Sequence, residues 1–178
     1  ASLSFEKAGP FQRIIIGDYS ARFGQGLVLW NSFSITSLRE PSSLKKNESG
    51  VVPYSSTDEN KSFRGVAANA QFGNLNLTLF YSTRNIDARI YNGGYTSLLV
   101  TGLHNTTATL DRKRSLGVSL AGENISYGGT NFRIGQTLAV YWFGMPYTGK
   151  DSLLLTRASK FGSTGANMSV DGYAVFGR

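Results

Sequence analysis

The chain has 178 residues, a formal net charge of +7, and only 16% charged residues against 40% hydrophobic ones, well below the roughly 25% charge usual for a soluble domain. With no cysteine and one histidine, a disulfide framework, a thiolate metal site and a multi-histidine metal centre are all excluded. No apolar run approaches the roughly 18 residues of a membrane helix, whereas 21 glycines, nine tyrosines and eleven phenylalanines suit an all-β chain with many turns whose outer surface need not be wet.

Residues 1–7 alternate, with Leu3 and Phe5 on one face, and Gly9-Pro10 reads as a turn. From residue 11 a strand resumes through Ile14, Ile15 and Ile16, three β-branched residues that argue against an exposed helix. Residues 20–26 read either as a hairpin turn or as a bend in one long strand that continues over 27–36. A long polar connection follows, holding Lys45-Lys46 and the prolines at 41 and 53. Residues 63–72 form a small-residue strand, and Gly73-Asn74 turns it into residues 75–91, where Leu75, Leu77, Leu79 and Tyr81 share a face. Residues 92–114 are a second long connection ending on the basic run Arg112-Lys113-Arg114. Strands are expected over 115–126 and 131–143, joined by a short glycine turn, and the last strand follows a third long connection at 165–176.

If 11–36 is one bent strand, the connections run short, long, short, long, short, long. Strict alternation of this kind is the habit of a membrane β-barrel, with tight turns on one side of the bilayer and loops on the other. Such a strand spans 26 residues, more than a bilayer needs at about 3.3 Å per residue. Part of it must therefore kink inward at its glycines or stand above the membrane. Aromatics near strand ends (Tyr81, Tyr91, Tyr127, Trp142, Phe143, Tyr173, Phe176) fit interfacial girdles. The expectation is an antiparallel transmembrane β-barrel, or a contiguous seven-strand part of one, as a single domain over 1–178. The Ala-Ser-Leu start without methionine reads as a processed chain or a piece of a longer one.

Several motifs then occur in order: Ile16-Gly17-Asp18-Tyr19, Phe23-Gly24-Gln25-Gly26-Leu27-Val28-Leu29-Trp30, Pro53-Tyr54-Ser55-Ser56, Phe63-Arg64-Gly65-Val66-Ala67, Leu79-Phe80-Tyr81-Ser82, Ile86-Asp87-Ala88-Arg89, Gly102-Leu103-His104 and Arg133-Ile134-Gly135. Together, over about residues 11–176, they resemble a family of Bacteroidota outer-membrane proteins with an N-terminal helix-hairpin-helix region, like that of competence DNA-binding proteins, followed by a β-barrel. The chain departs from the family pattern at Asn105, where an arginine is usual, and at Arg178, where a glutamate is usual. The resemblance covers the barrel part only. It implies a bacterial outer-membrane location and contact with outer-membrane lipid and with other envelope proteins. It allows a link to DNA uptake or handling, with nucleic acid as a partner, although the helix-hairpin-helix part that suggests DNA binding is absent from this chain.

Candidate lumen or constriction residues are Asp18 and Arg22, in the glycine-flanked segment, and Arg64, Arg84, Asp87, Arg89 and Arg133. They either select anions or form Arg–Asp pairs that fill the interior, and the glycine-flanked segment is either a plug or a structural bend. His104 lacks the second ligand of a metal site and the partners of a hydrolytic triad, so no catalytic residue, metal or cofactor is expected. Six Asn-x-Ser/Thr sequences, at Asn47, Asn60, Asn76, Asn105, Asn124 and Asn167, are accounted for by composition. The function expected is non-enzymatic: a barrel component acting as channel, scaffold or docking platform. The alternative is a soluble β-barrel or sandwich with an apolar interior for a small apolar ligand.

Overall fold

The computed structural model describes residues 1–24, 26, 28–29, 48–55, 62–99, 106–148 and 166–176. The expected strand over 27–36, the Lys45-Lys46 pair and His104 lie outside the described residues, Val28 and Leu29 excepted. The chain forms two compact units, Ala1–Ser82 with Ala121–Ala139 and Ser169–Arg178 (unit 1), and Thr83–Leu120 with Val140–Met168 (unit 2).

The described elements are β1 (Ser2–Ala8), β2 (Phe11–Arg22), β3 (Gly50–Pro53), β4 (Phe63–Phe72), β5 (Leu75–Ile86), β6 (Ala88–Tyr91), β7 (Gly94–Leu98), a one-turn helix α1 (Thr107–Leu110), β8 (Leu116–Gly128), β9 (Phe132–Phe143) and β10 (Ala166–Phe176). In unit 1 the strands pair in the order β1-β2-β4-β5-β8-β9-β10, with β3 also on β2. The seven strands of that path match the seven expected ones. Tight turns join β1 to β2, β4 to β5 and β8 to β9, and each of the other links in the path is long. The turns lie at one end of the sheet: the Gly128 amide, at the end of β8, donates to the Asn74 carbonyl at 3.0 Å. The sheet is antiparallel, as alternation predicted. Its closure into a barrel is not found: β1 and β10 are the ends of the strand order, and no pairing joins them among the described residues.

The faces of this sheet are inverted relative to a water-soluble one. Register aligns Leu3 with Ile16, Ile16 with Val66 and Val66 with Tyr81. The next row runs Phe5, Ile14, Ala68, Leu79. These apolar rows are open to the surroundings, with Ile16 49% and Leu79 50% exposed. The residues between them point to the concave face, where Thr78, Asn124, Ser126 and Thr137 are buried beside Ile15, Ala67 and Phe80.

The long strand expected over 11–36 is corrected. β2 ends at Arg22, and the Gly26 amide closes a turn on the Phe23 carbonyl at 3.0 Å. The strand does kink inward. Val51 pairs with Ala21, eight residues along β2 from Arg13, yet the Arg13 Nη1 donates to the Val51 carbonyl at 3.1 Å. In a straight strand these levels stand about 26 Å apart, beyond the reach of any side chain. The end of β2 and β3 therefore fold back across the concave face. Gly17, at φ +111° within β2, supplies a conformation that side chains with a Cβ avoid. The Phe23 ring then stacks on Phe80 with centroids 5.7 Å apart.

Unit 2 has ordinary polarity. On β8, Leu116, Val118 and Leu120 are buried while Gly117 is exposed, the reverse of Asn124 and Ser126 against Ile125 and Tyr127 further along the strand. β5 changes in the same way: Thr83 and Asn85 are exposed and Ile86 is buried. The single strand expected over 75–91 is broken at Asp87, whose carboxylate accepts from the Arg114 amide at 2.8 Å, while the Ala88 amide donates to the Arg112 carbonyl at 3.2 Å. The chain then makes a separate hairpin, β6–β7, whose first strand is the far end of the expected 75–91 strand and whose second lies in what the sequence suggested was a loop. Asn92 (φ 49°) and Gly93 (φ 76°) form its turn, the left-handed pair that tight hairpins favour. Tyr95 packs on Phe143 and Tyr147, with centroids 5.3 and 5.2 Å away.

Candidate functional site

Strand alternation puts a polar set on the concave face of unit 1. Asn69 on β4 faces Thr78 on β5 in register, and its Nδ2 donates to Thr78 Oγ1 at 2.8 Å and to Asn76 Oδ1. On β8, Asn124 Nδ2 donates to Thr137 Oγ1 at 2.9 Å and to the Gln136 carbonyl at 3.1 Å. These buried amides fix one another, as groups removed from water must.

Glu48, just before β3, is the node of the face. Its carboxylate accepts from the Gly24 amide at 2.9 Å and the Tyr173 hydroxyl at 3.0 Å, and it pairs with the Arg133 guanidinium. One acidic side chain, 18% exposed, thereby ties the folded-back turn to β9 and β10. Gly24 is where the backbone meets the Tyr173 ring: a Cβ there would lie 2.5 Å from it. Arg13 ties β2 to β1 through Glu6 Oε1 at 3.0 Å and to β3 through Val51.

Between these groups lies a cleft of about 390 Å³, lined among others by Gln12, Arg13, Phe23, Glu48, Gln71, Asn76, Thr78, Asn124 and Arg133. Its walls hold amides, hydroxyls and two ion pairs. No cluster of metal-ligating side chains occurs among the described residues.

No family model matches the chain, and neither a curated protein nor a solved structure matches it.

Of the candidate residues read from the sequence, Arg133 lines the cleft. Asp18 and Arg64 are cross-strand partners, with Arg64 Nε donating to Asp18 Oδ1 at 2.7 Å. They stand on the strand parity of Ile16 and Val66, the apolar face, and not on that of Asn69. Arg22 closes β2 opposite Gly50. Arg84, Asp87 and Arg89 belong to unit 2, where Asp87 holds the chain break described above. Among the aromatics expected at an exposed girdle, Tyr81, Tyr91, Tyr127 and Trp142 are exposed, whereas Phe143 and Tyr173 are buried. The sequence reading missed Glu6, Arg13, Glu48, Asn69 and Asn124. Asn69 and Asn124 carried a signal, a polar residue opposite an apolar strand face. Glu48 carried none, because its partners lie 24, 85 and 125 residues away.

Proposed function

We propose that this chain is a non-enzymatic β-barrel component of a bacterial outer membrane, with the apolar rows of unit 1 against lipid. One observation carries the reading: the sheet of unit 1 turns Leu3, Phe5, Ile16, Val66, Leu79 and Tyr81 outward, and it turns Asn69, Thr78, Asn124 and Thr137 inward beside Ile15, Ala67 and Phe80. In water such an arrangement exposes apolar area and buries polar groups, and both are unfavourable. In a bilayer it is the expected one. The inverted stretches of β5 and β8 cover residues 75–82 and 121–128, close to the 9–11 tilted residues that cross a bilayer. The polarity change on the same strands marks where they would leave hydrocarbon.

A spanning sheet leaves no edge unpaired in lipid, so β1 and β10 close on each other or on further strands in the membrane. Within that frame the protein serves as a channel, scaffold or docking platform for envelope proteins. The link to DNA uptake rests on the motif resemblance alone, and a DNA affinity that falls steeply with added salt would support it. The soluble alternative draws no support from the concave face, whose cleft is polar where an apolar ligand needs apolar walls.

Fractionation of the native protein tests the reading. Retention in the outer-membrane fraction after a detergent-free alkaline wash, with release by detergent, is the expected result. Recovery as a monodisperse protein in the wash would refute it.

A further inference from the structure

The cleft of unit 1 carries an inference that does not depend on what covers the apolar face. Its volume, about 390 Å³, lies within the roughly 300–1,000 Å³ of small-ligand sites. Its chemistry is unusual for such a site. Gln12, Gln71 and Asn76 bring three carboxamides to the cleft, each an acceptor and a double donor. Among the described residues, the Asn76 amide nitrogen and the whole Gln12 amide make no hydrogen bond within the protein. Asn76 is held in place through its oxygen by Asn69, and Thr78 beside it by the same nitrogen. Gln71 is held through its amide nitrogen, which donates to the Gly73 carbonyl at 3.1 Å, and it offers its oxygen as an acceptor. The wall at Gln71 and Asn76 is thus preorganised, with an acceptor and a donor left over.

Charge narrows the ligand class. Arg13 and Arg133 both face the cleft, but each is paired, with Glu6 and Glu48 respectively. Lys7, an exposed residue of β1, also lines it, so the lining carries a formal charge of +1, held in water and weaker than the paired cations of an anion site. An apolar ligand would strand the amides without partners. Groups that donate and accept at once, on a neutral body, fit the wall: the hydroxyls of a sugar.

We propose that the cleft binds a neutral oligosaccharide of about two sugar units, the size its volume allows. Gln71 and Asn76, paired across the β4–β5 turn, contact its hydroxyls, and Thr78 is the floor beneath them.

Calorimetric titration of the full chain tests this, in a detergent without a sugar headgroup or in plain buffer if the protein needs none. The probes are maltose, cellobiose, lactose and N,N′-diacetylchitobiose, with inorganic phosphate as the anionic control. At least one disaccharide is expected to bind saturably with Kd of about 1 mM or tighter. The double variant Gln71→Leu/Asn76→Leu is expected to bind it at least about tenfold more weakly, a loss of about 1.4 kcal/mol. Val66→Leu, on the opposite face, is expected to bind it as the parent does. If the double variant fails to fold, Gln71→Leu alone, at an exposed position, is expected to weaken binding several-fold. Saturation by phosphate in place of every disaccharide, no saturable binding at all, or an unchanged Kd in the variant that folds would each overturn the proposal.

Discussion

The Glu48 carboxylate meets the Arg133 guanidinium on the concave face of unit 1, 85 residues apart in the chain. Because the same carboxylate also accepts from Gly24 and Tyr173, its loss strands three donors at once. Glu48→Ala is expected to lower unfolding stability by about 1–3 kcal/mol, the cost of leaving a part-buried donor unsatisfied. Glu48→Gln retains an acceptor oxygen and is expected to lose less. Arg133→Ala should also cost less than Glu48→Ala, since half of the Arg133 side chain is in contact with solvent. Urea titrations of the three variants under one condition give the order. Equal losses for Glu48→Ala and Arg133→Ala would show that Gly24 and Tyr173 do not depend on Glu48.

Much of unit 1 was legible in the sequence because period-two alternation is a local signal. The expected strand over 63–72 coincides with β4, and the apolar set Leu75, Leu77, Leu79 and Tyr81 marks one face of β5. The alternation of short and long links was equally plain. What alternation cannot report is where a strand is diverted. The break at Asp87 is made by hydrogen bonds to the Arg114 amide and the Arg112 carbonyl, partners more than twenty residues away. The Asn92-Gly93 dipeptide, with Ile90 and Tyr91 before it and Tyr95 and Leu98 after it, was a hairpin signal, but the expected connection over 92–114 opened on it. The return of β2 over its own sheet brings Val51 to Arg13, a contact no spacing rule contains.

Gly65, the one glycine of β4, is expected to be less replaceable than Gly73 in the turn that follows. A Cβ there would run into the Tyr81 carbonyl oxygen and the Ser82 Cα on the neighbouring strand, and backbone cannot step aside as a side chain can. Gly65→Ala should part β4 from β5 locally and destabilise the fold by about 1–3 kcal/mol, the usual cost of overpacking. Gly73→Ala, in the turn between the same strands, meets no neighbour within 4 Å. It should cost about 1 kcal/mol, for its positive φ alone. The two denaturation midpoints check the order, and a larger loss at Gly73 would refute it.

Tyr95 gives unit 2 an alkaline signature. Burial, with the neighbouring Tyr147 adding to it, pushes its phenol up to about 12 from an ordinary value of 10.0. The folded state therefore holds the proton more tightly than the unfolded chain does. Stability from this site is complete below about pH 10 and falls as pH rises towards about 12, by at most about 2–3 kcal/mol. Ultraviolet titration of tyrosinate should show a late-ionising phenol that is absent in Tyr95→Phe. That variant keeps the ring against Phe143 and Tyr147, and it should lose less stability than the parent between about pH 10 and 12. An identical pH profile in the variant would remove Tyr95 as the cause.

Leu79 separates lipid from water as the medium around unit 1. It lies mid-row between Ala68 and the β8 side of β5, half exposed, with apolar neighbours along the face. If that face meets hydrocarbon, Leu79→Arg places a charge near the middle of the bilayer and should cost about 2–4 kcal/mol. If it meets water, the same change is an exposed surface substitution and should fall within about 0.5 kcal/mol of the parent. Thr83→Arg, two residues beyond Tyr81 on the same strand face and already among polar neighbours, is the internal control, expected to be near neutral in either medium. Refolding each variant into lipid vesicles and measuring its denaturant midpoint gives both numbers in one experiment. A large loss at Leu79 with none at Thr83 would place the edge of the hydrocarbon between them along β5, where the polarity of the strand changes.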